Sequence, residues 1–145
     1  MYGGTKVVSL PATGPWSLSV EGWDVLTVIF AFQIDIIAYG EGPTCTIRLA
    51  GAFQVSESDG HVHNLDVEQQ AWEDLTPVLS LRHDKIASVM ATDDAHLLVR
   101  FASGRTLSAE ADGRPYEHWQ IDAPGIKLIA LPGDGSDGVA VWSDP

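Results

Sequence analysis

Apolar and polar positions alternate in short runs along most of the chain. Leu26, Val28, Phe30 and Phe32 interleave with Thr27, Ile29 and Ala31; Ile34, Ile36 and Ala38 then interleave with Gln33, Asp35 and Ile37. A period of two with branched and aromatic side chains predicts strands with at least one buried face. Gly40, Gly42 and Pro43 make a turn, a third strand runs from Cys45 to Leu49, and Phe53 and Val55 continue the pairing up to the Asp59-Gly60 turn. Beyond residue 85 the same pattern predicts strands at Ile86–Thr92, His96–Phe101, Thr106–Ala111, Glu117–Asp122, Ile126–Leu131 and Val139–Trp142. Their separators, such as Asp112-Gly113 and Pro124-Gly125, carry turn chemistry. Spacing this short favours an antiparallel meander over βαβ units.

One stretch has a helical period. Val67, Ala71, Trp72, Leu75, Val78 and Leu79 fall on one stripe, Asp66 stands at the cap and Gln69 at the capping-box position. A principal helix over about 66–81 is expected, running to Leu75 and restarting at Pro77, which removes a hydrogen-bond donor. The expected fold class is therefore α+β and β-rich, a mostly antiparallel meander sheet or partly closed barrel with one helix packed on it. Residues 1–20, with Gly3, Gly4, Pro11, Gly14 and Pro15, read as an irregular segment of loops and at most one short strand. Residues 21–145 read as a single domain. The run Val25–Leu49 echoes Ile86–Ala109 across the helix, as either a duplication or the generic look of a meander.

Charge narrows the choice of partner. Twenty acids against eight bases give a net charge of −12, with only Lys6 and Arg48 basic before residue 82. Such a field repels phosphate backbones and anionic lipid, which argues against nucleic acid and membrane surfaces, and it speeds encounter with a basic protein. No signal-peptide pattern opens the sequence, and the apolar run Val25–Tyr39 is too short to span a bilayer and contains Gln33 and Asp35. A cytoplasmic location is expected. Cys45, the one cysteine, excludes an internal disulfide and reads as a small buried hydrophobe.

Several motifs match in letters only. Gly133–Gly138 spells the dinucleotide fingerprint, but a short strand follows where a helix is needed, and Asp134 and Asp137 repel phosphate. The same loop lacks the closing glutamate of a calcium hand. Leu10-Pro11-Ala12-Thr13-Gly14 matches a sortase signal in the wrong place, ahead of the domain instead of behind it. His61 and His63 share a face of an extended chain near Asp59, short of the three convergent ligands that zinc requires, and read as a polar surface hairpin. No G-x-S-x-G elbow or H-E-x-x-H helix is present, and Asp35, alone in an apolar strand pair, is read as facing solvent. Neither a catalytic group nor a cofactor or metal is called for. Five tryptophans are mostly core filling, with one or two exposed as binding anchors.

The segment Tyr116–Ile121, then Ile126–Leu131, Pro132-Gly133 and Val139–Trp142 joins the earlier Gly51-Ala52-Phe53, the Asp-Gly turn and the helix ending Pro77-Val78-Leu79. Together these resemble a family of small, uncharacterised, acidic bacterial domains similar to the immunity proteins of polymorphic toxin systems. The resemblance covers roughly residues 22–142 and implies a β-rich cytoplasmic inhibitor of a toxin, with no site residues to carry over. The expected function is a non-enzymatic protein-binding module whose acidic surface, first of all Glu68, Glu73, Asp74, Asp93 and Asp94, covers a basic toxin. The alternatives are a small-molecule binder with a pocket lined by Phe30, Phe32, Ile34 and Trp119, or a self-associating structural protein such as a homodimer; an enzyme would need ionisable groups gathered from distant strands.

Overall fold

The computed structural model describes residues 14–143. Twelve strands follow the alternating runs: β1 (Trp16–Ser17), β2 (Asp24–Phe30), β3 (Ile34–Tyr39), β4 (Thr44–Leu49), β5 (Ala52–Ser56), β6 (Val62–Asp66), β7 (Ile86–Ala91), β8 (Leu97–Phe101), β9 (Thr106–Ala109), β10 (Trp119–Ala123), β11 (Ile126–Ala130) and β12 (Val139–Ser143). They form two six-stranded antiparallel sheets, ordered β12-β11-β10-β4-β3-β2 and β1-β7-β8-β9-β5-β6. Every second residue points inward. Ile34, Ile36, Cys45, Ile47, Leu49, Trp119, Ile121 and Leu128 from the first sheet share one core with Phe53, Val55, Ile86, Val89, Leu97, Val99 and Leu107 from the second. Trp16, Leu18 and Val20 belong to that core as well. The described residues thus form two sheets around one apolar layer, with no closed barrel among them.

The sheets are related by an internal exchange. Strands β2-β3-β4 form a meander in the first sheet, and the hairpin β5-β6 crosses to pair with β9 in the second. Strands β7-β8-β9 form the matching meander in the second sheet, and the hairpin β10-β11 crosses back to pair with β4. The buried pair Val55–Leu107 therefore corresponds to the buried pair Ile121–Ile47. Both meanders carry a bulge at the same place, between Val25 and Thr27 and between Ile86 and Ser88. Where they meet, the backbone hydrogen bonds are reciprocal. Gly22 N–H donates to Ile86 O (2.7 Å) and His83 N–H to Val25 O (2.6 Å); Ile86 N–H donates to Trp23 O and Val25 N–H to Asp84 O, both at 2.9 Å. Gly22 and His83, offset by the same spacing as Val25 and Ile86, both take left-handed φ, 82° and 74°. Correspondence in topology, bulge, backbone bonds and φ favours a duplicated unit over a coincidental meander.

The expected α-helix is absent. The chain stays extended in β6 up to Asp66, and a 3₁₀ helix occupies Trp72–Leu81. Asp66 does act as a cap, its Oδ1 accepting from Glu68 N–H (3.0 Å) and Gln69 N–H (3.3 Å), but only a turn follows. The buried residues are Leu75, Val78 and Leu81, spaced by three, which is the period of a 3₁₀ helix; Pro77 lies inside it and has no N–H to give to either kind of helix. This segment packs on β2 and β6 and covers the side of the sandwich where those two edges lie. The fold is accordingly mostly β, not α+β. Cys45 is fully buried, and burial pushes its thiol up to about 12, which keeps it inert. No helix of the described residues is long and apolar enough to cross a membrane.

Candidate functional site

The strand registers bring one set of connections to a single end of the sandwich: β2–β3, β4–β5, the chain after β6, β7–β8, β9–β10 and β11–β12. These connections are acidic. Asp66 ends β6 and Glu68 follows it, Asp93 and Asp94 turn between β7 and β8, Glu110, Asp112 and Glu117 lie between β9 and β10, and Asp134 and Asp137 between β11 and β12. Against them stands one Lys or Arg among the described residues of these connections, Arg114. The opposite end mixes Arg82, Lys85 and Arg105 with its acids, and Arg105 Nε holds Glu57 at 2.8 Å, keeping that carboxyl below its usual range.

At the centre of the acidic end the two crossings meet. The β4–β5 crossing is only Ala50 and Gly51; Ala50 N–H donates to His118 O (2.9 Å) and Gly51 O accepts from Val67 N–H (3.1 Å). Over it lies the longer β9–β10 span. Arg114 clamps Asp66 through Nη1 (2.9 Å) and Nη2, holds Asp112 through Nε (3.0 Å) and donates to Tyr116 OH (3.0 Å). Those hydrogen bonds hold the Asp66 carboxyl below its ordinary range and raise the guanidinium. Tyr116 is pushed up, first by burial and then by the adjacent Glu68. His118 is buried, and its Nε2 stands 3.1 Å from Gly133 O; a carbonyl only accepts, so Nε2 carries a proton. Its Nδ1 is 3.2 Å from Asp112 Oδ1 without hydrogen-bond alignment, and is the buried side-chain polar atom left without a hydrogen-bond partner among the described residues. Gly51 lies under this cluster: a Cβ on it would meet Arg114 Nη1, His118 Nδ1 and Tyr116 OH at 3.5 Å, an ordinary contact distance.

Beside this cluster a groove of about 540 Å³ opens between the β2–β3 turn and the span after β6. Phe32, Ala50, Val67, Glu68, Tyr116 and Glu117 line it, and Phe32 is fully exposed at 102%. Phe32 thus belongs to a turn and not to a strand face, while Ile34 and Trp119 are sealed in the core. The pocket expected from Phe30, Phe32, Ile34 and Trp119 is not formed. The Trp119 indole N–H instead donates to Ala95 O at 2.8 Å and ties the two sheets together.

Of the residues singled out from the sequence, Glu68 lines the groove, and Glu73 and Asp74 are exposed in the first turn of the 3₁₀ helix, next to Trp72, which is 62% exposed. Asp93 and Asp94 form the exposed β7–β8 turn, where Asp94 accepts from the Thr92 hydroxyl and is lowered by it. Asp35 is not free on the open sheet face, since Arg48 grips it through Nε (2.8 Å) and Nη2 (3.0 Å). His61 and His63 meet edge to face at 4.6 Å, and His63 Nε2 contacts Glu57 at 3.2 Å. No group of three or more His, Cys, Asp or Glu among the described residues is arranged to hold a metal. Gly133–Gly138 forms turns with left-handed φ at Gly133, Gly135 and Gly138, with no helix after it. Most of the Leu10–Gly14 motif lies outside the described residues.

No curated protein and no solved structure matches the chain. Residues 16–143, from the first described strand to the last, match the model of the Family of unknown function (DUF6188). The chain belongs to that family.

Proposed function

We propose that the chain is a non-catalytic protein-binding module, of the immunity type, that covers a basic surface of a toxin with its acidic end. The observation that carries this reading is the segregation of carboxylates to one end, with a single Lys or Arg, Arg114, among the described residues there. Complementary charge of that kind accelerates encounter and selects partners by sign. Exposed aromatics at or near the same end, Phe32 and Trp72, supply the apolar anchor that charge alone lacks. Arg114 keeps the end folded by neutralising Asp66 and Asp112, which leaves Glu68, Glu73, Asp74, Asp93 and Asp94 outward for a partner.

Cross-linking in the native host at low salt identifies the partner, and calorimetric titration of the purified pair tests it. The expected partner is basic, and its affinity falls steeply between 50 and 200 mM salt, limits chosen on the order of those used for charge-driven association. Reversing Asp93 and Asp94 to lysine, or Glu73 and Asp74, weakens binding by about tenfold or more. A partner of neutral or acidic surface, or an affinity indifferent to both salt and charge reversal, overturns the proposal.

A further inference from the structure

Inside the acidic end, the groove beside Phe32 has features of its own that the general charge does not explain. Its walls combine an aromatic ring with nothing packed over it, a tyrosine, two carboxylates and two small apolar surfaces, Ala50 and Val67. Among the described residues, no lysine or arginine lines it. Two guanidiniums stand near the groove and both are engaged: Arg114 by Asp66 and Asp112, and Arg48, which lines the adjoining recess with Gln33, Ala50 and Glu117, by Asp35; among the described residues Glu68 and Glu117 form no ion pair. A fully exposed phenylalanine at a hairpin tip contributes nothing to the core.

We propose that this groove is the subsite for an arginine side chain of the basic partner, its guanidinium stacked on Phe32 and paired with Glu68 and Glu117. This deepens the function proposed above and rests on it. Charge complementarity commits the groove to a cation, since two outward carboxylates are unpaired by any lining base. The aromatic selects the kind of cation. A guanidinium is flat, weakly hydrated and able to lie on a ring face while its edge meets a carboxylate bidentately; an ammonium is a compact, strongly hydrated point that gains less from the ring. The stem of an arginine is apolar and rests on Val67 and Ala50. The tightness of the floor supports the same arrangement. Tyr116 is fixed by Arg114, so the wall that faces the incoming side chain is set before binding.

The test uses the isotopically labelled full chain and acetyl-Gly-Arg-Gly-amide as probe, with the lysine and citrulline peptides as comparisons. Saturable shifts are expected at the amides of Gln33, Glu68 and Glu117 with the arginine peptide. Citrulline, which keeps the shape and lacks the charge, gives none, and lysine binds at least several-fold more weakly. Phe32→Ala and Glu117→Gln each weaken the arginine peptide about five- to tenfold; both residues are exposed, so the amide spectrum elsewhere stays unchanged. Equal response to citrulline, equal affinity for lysine, or indifference to Phe32→Ala overturns the subsite. Shifts confined to Asp93 and Asp94 also overturn it, but leave the broader reading of a basic partner standing, which the partner titration tests separately.

Discussion

The two halves of the molecule are built alike and end differently. Each half is a three-stranded meander whose following hairpin crosses into the opposite sheet, and the reciprocal bonds of Gly22 and His83 mark where the halves meet. The crossings themselves diverge. In the first half the chain passes from sheet to sheet through Ala50 and Gly51 alone; in the second it takes residues 110–118 and gathers Asp112, Arg114, Tyr116, Glu117 and His118 on the way. The hairpin tips diverge too, Phe32 in one half standing where the other turns through Asp93 and Asp94. What the halves share is largely apolar and inward; the differences at the hairpin tips and crossings, exposed Phe32 and the polar span 110–118, sit at one end. A repeated scaffold gives stability, and departure from the repeat gives a surface that no symmetric unit would have.

The strongest way to break this comparison is to ask whether equivalent core positions are energetically equivalent. Ile47 and Leu107 are both fully buried central-strand residues, each paired with its counterpart from the crossing hairpin. Ile47→Ala and Leu107→Ala are each expected to cost about 3–4 kcal/mol in urea-induced unfolding, the sum of lost transfer and cavity terms. Costs differing by more than about 2 kcal/mol, or separate transitions for the two variants, mean that the halves are alike in tracing only.

The alternation that made the strands legible in the sequence says little about where the halves differ. Inward residues such as Ile36, Ile47, Val99 and Leu107 announce themselves because a strand can bury only every second position. The turn at Ala31–Gln33 carries no glycine, proline, asparagine or aspartate, so alternation runs straight through it and puts Phe32 on a face it does not occupy. Val62–Asp66 hid for the opposite reason: an edge strand carrying His63 and Asn64 shows no apolar period. The stripe around Leu75 fits 3.6 residues per turn in the sequence, although its buried members recur every three. In the candidate acidic end, whose role in binding is proposed, Glu68, Asp93 and Asp94 were reachable from charge alone. Arg114, Tyr116 and His118 were not, because Asp66 and Arg114 come together only after two strand pairings far apart in sequence; the cue available was a long polar connection carrying an arginine among acids where its counterpart needs two residues.

Arg114 sharpens the comparison at intermediate cost, since the first half has no equivalent. Arg114→Met keeps the stem and removes the charge, leaving Asp66 and Asp112 unpaired beside the buried His118. A loss of about 2–3 kcal/mol is expected at neutral pH. The sign with pH is fixed by Asp66. Its folded value is depressed by Arg114, so its contribution is present above the unfolded value, near 3.9, and is lost as pH falls through the folded one. Stability curves of wild type and Arg114→Met therefore converge as the pH drops below about 4. A constant gap down to pH 2, on the order of a full titration below that value, would mean that the arginine acts by packing and not through the carboxylate.

Phe32→Asp gives the smallest effect and the finest discrimination. It gives the first hairpin tip the kind of side chain its counterpart carries at Asp93 and Asp94, and it removes no contact with the core, since the ring is fully exposed. Folding stability is expected to stay within about 0.5 kcal/mol of wild type, while solubility near the isoelectric point rises as an exposed aromatic is replaced by charge. Arginine-peptide binding is the discriminating readout. If the groove draws its ligand by charge alone, a further carboxylate strengthens the complex; if the ring is the platform, the variant binds more weakly although the site has become more negative. The second result is expected, because a guanidinium with open access to water gains little from one more exposed carboxylate and loses its stacking surface entirely.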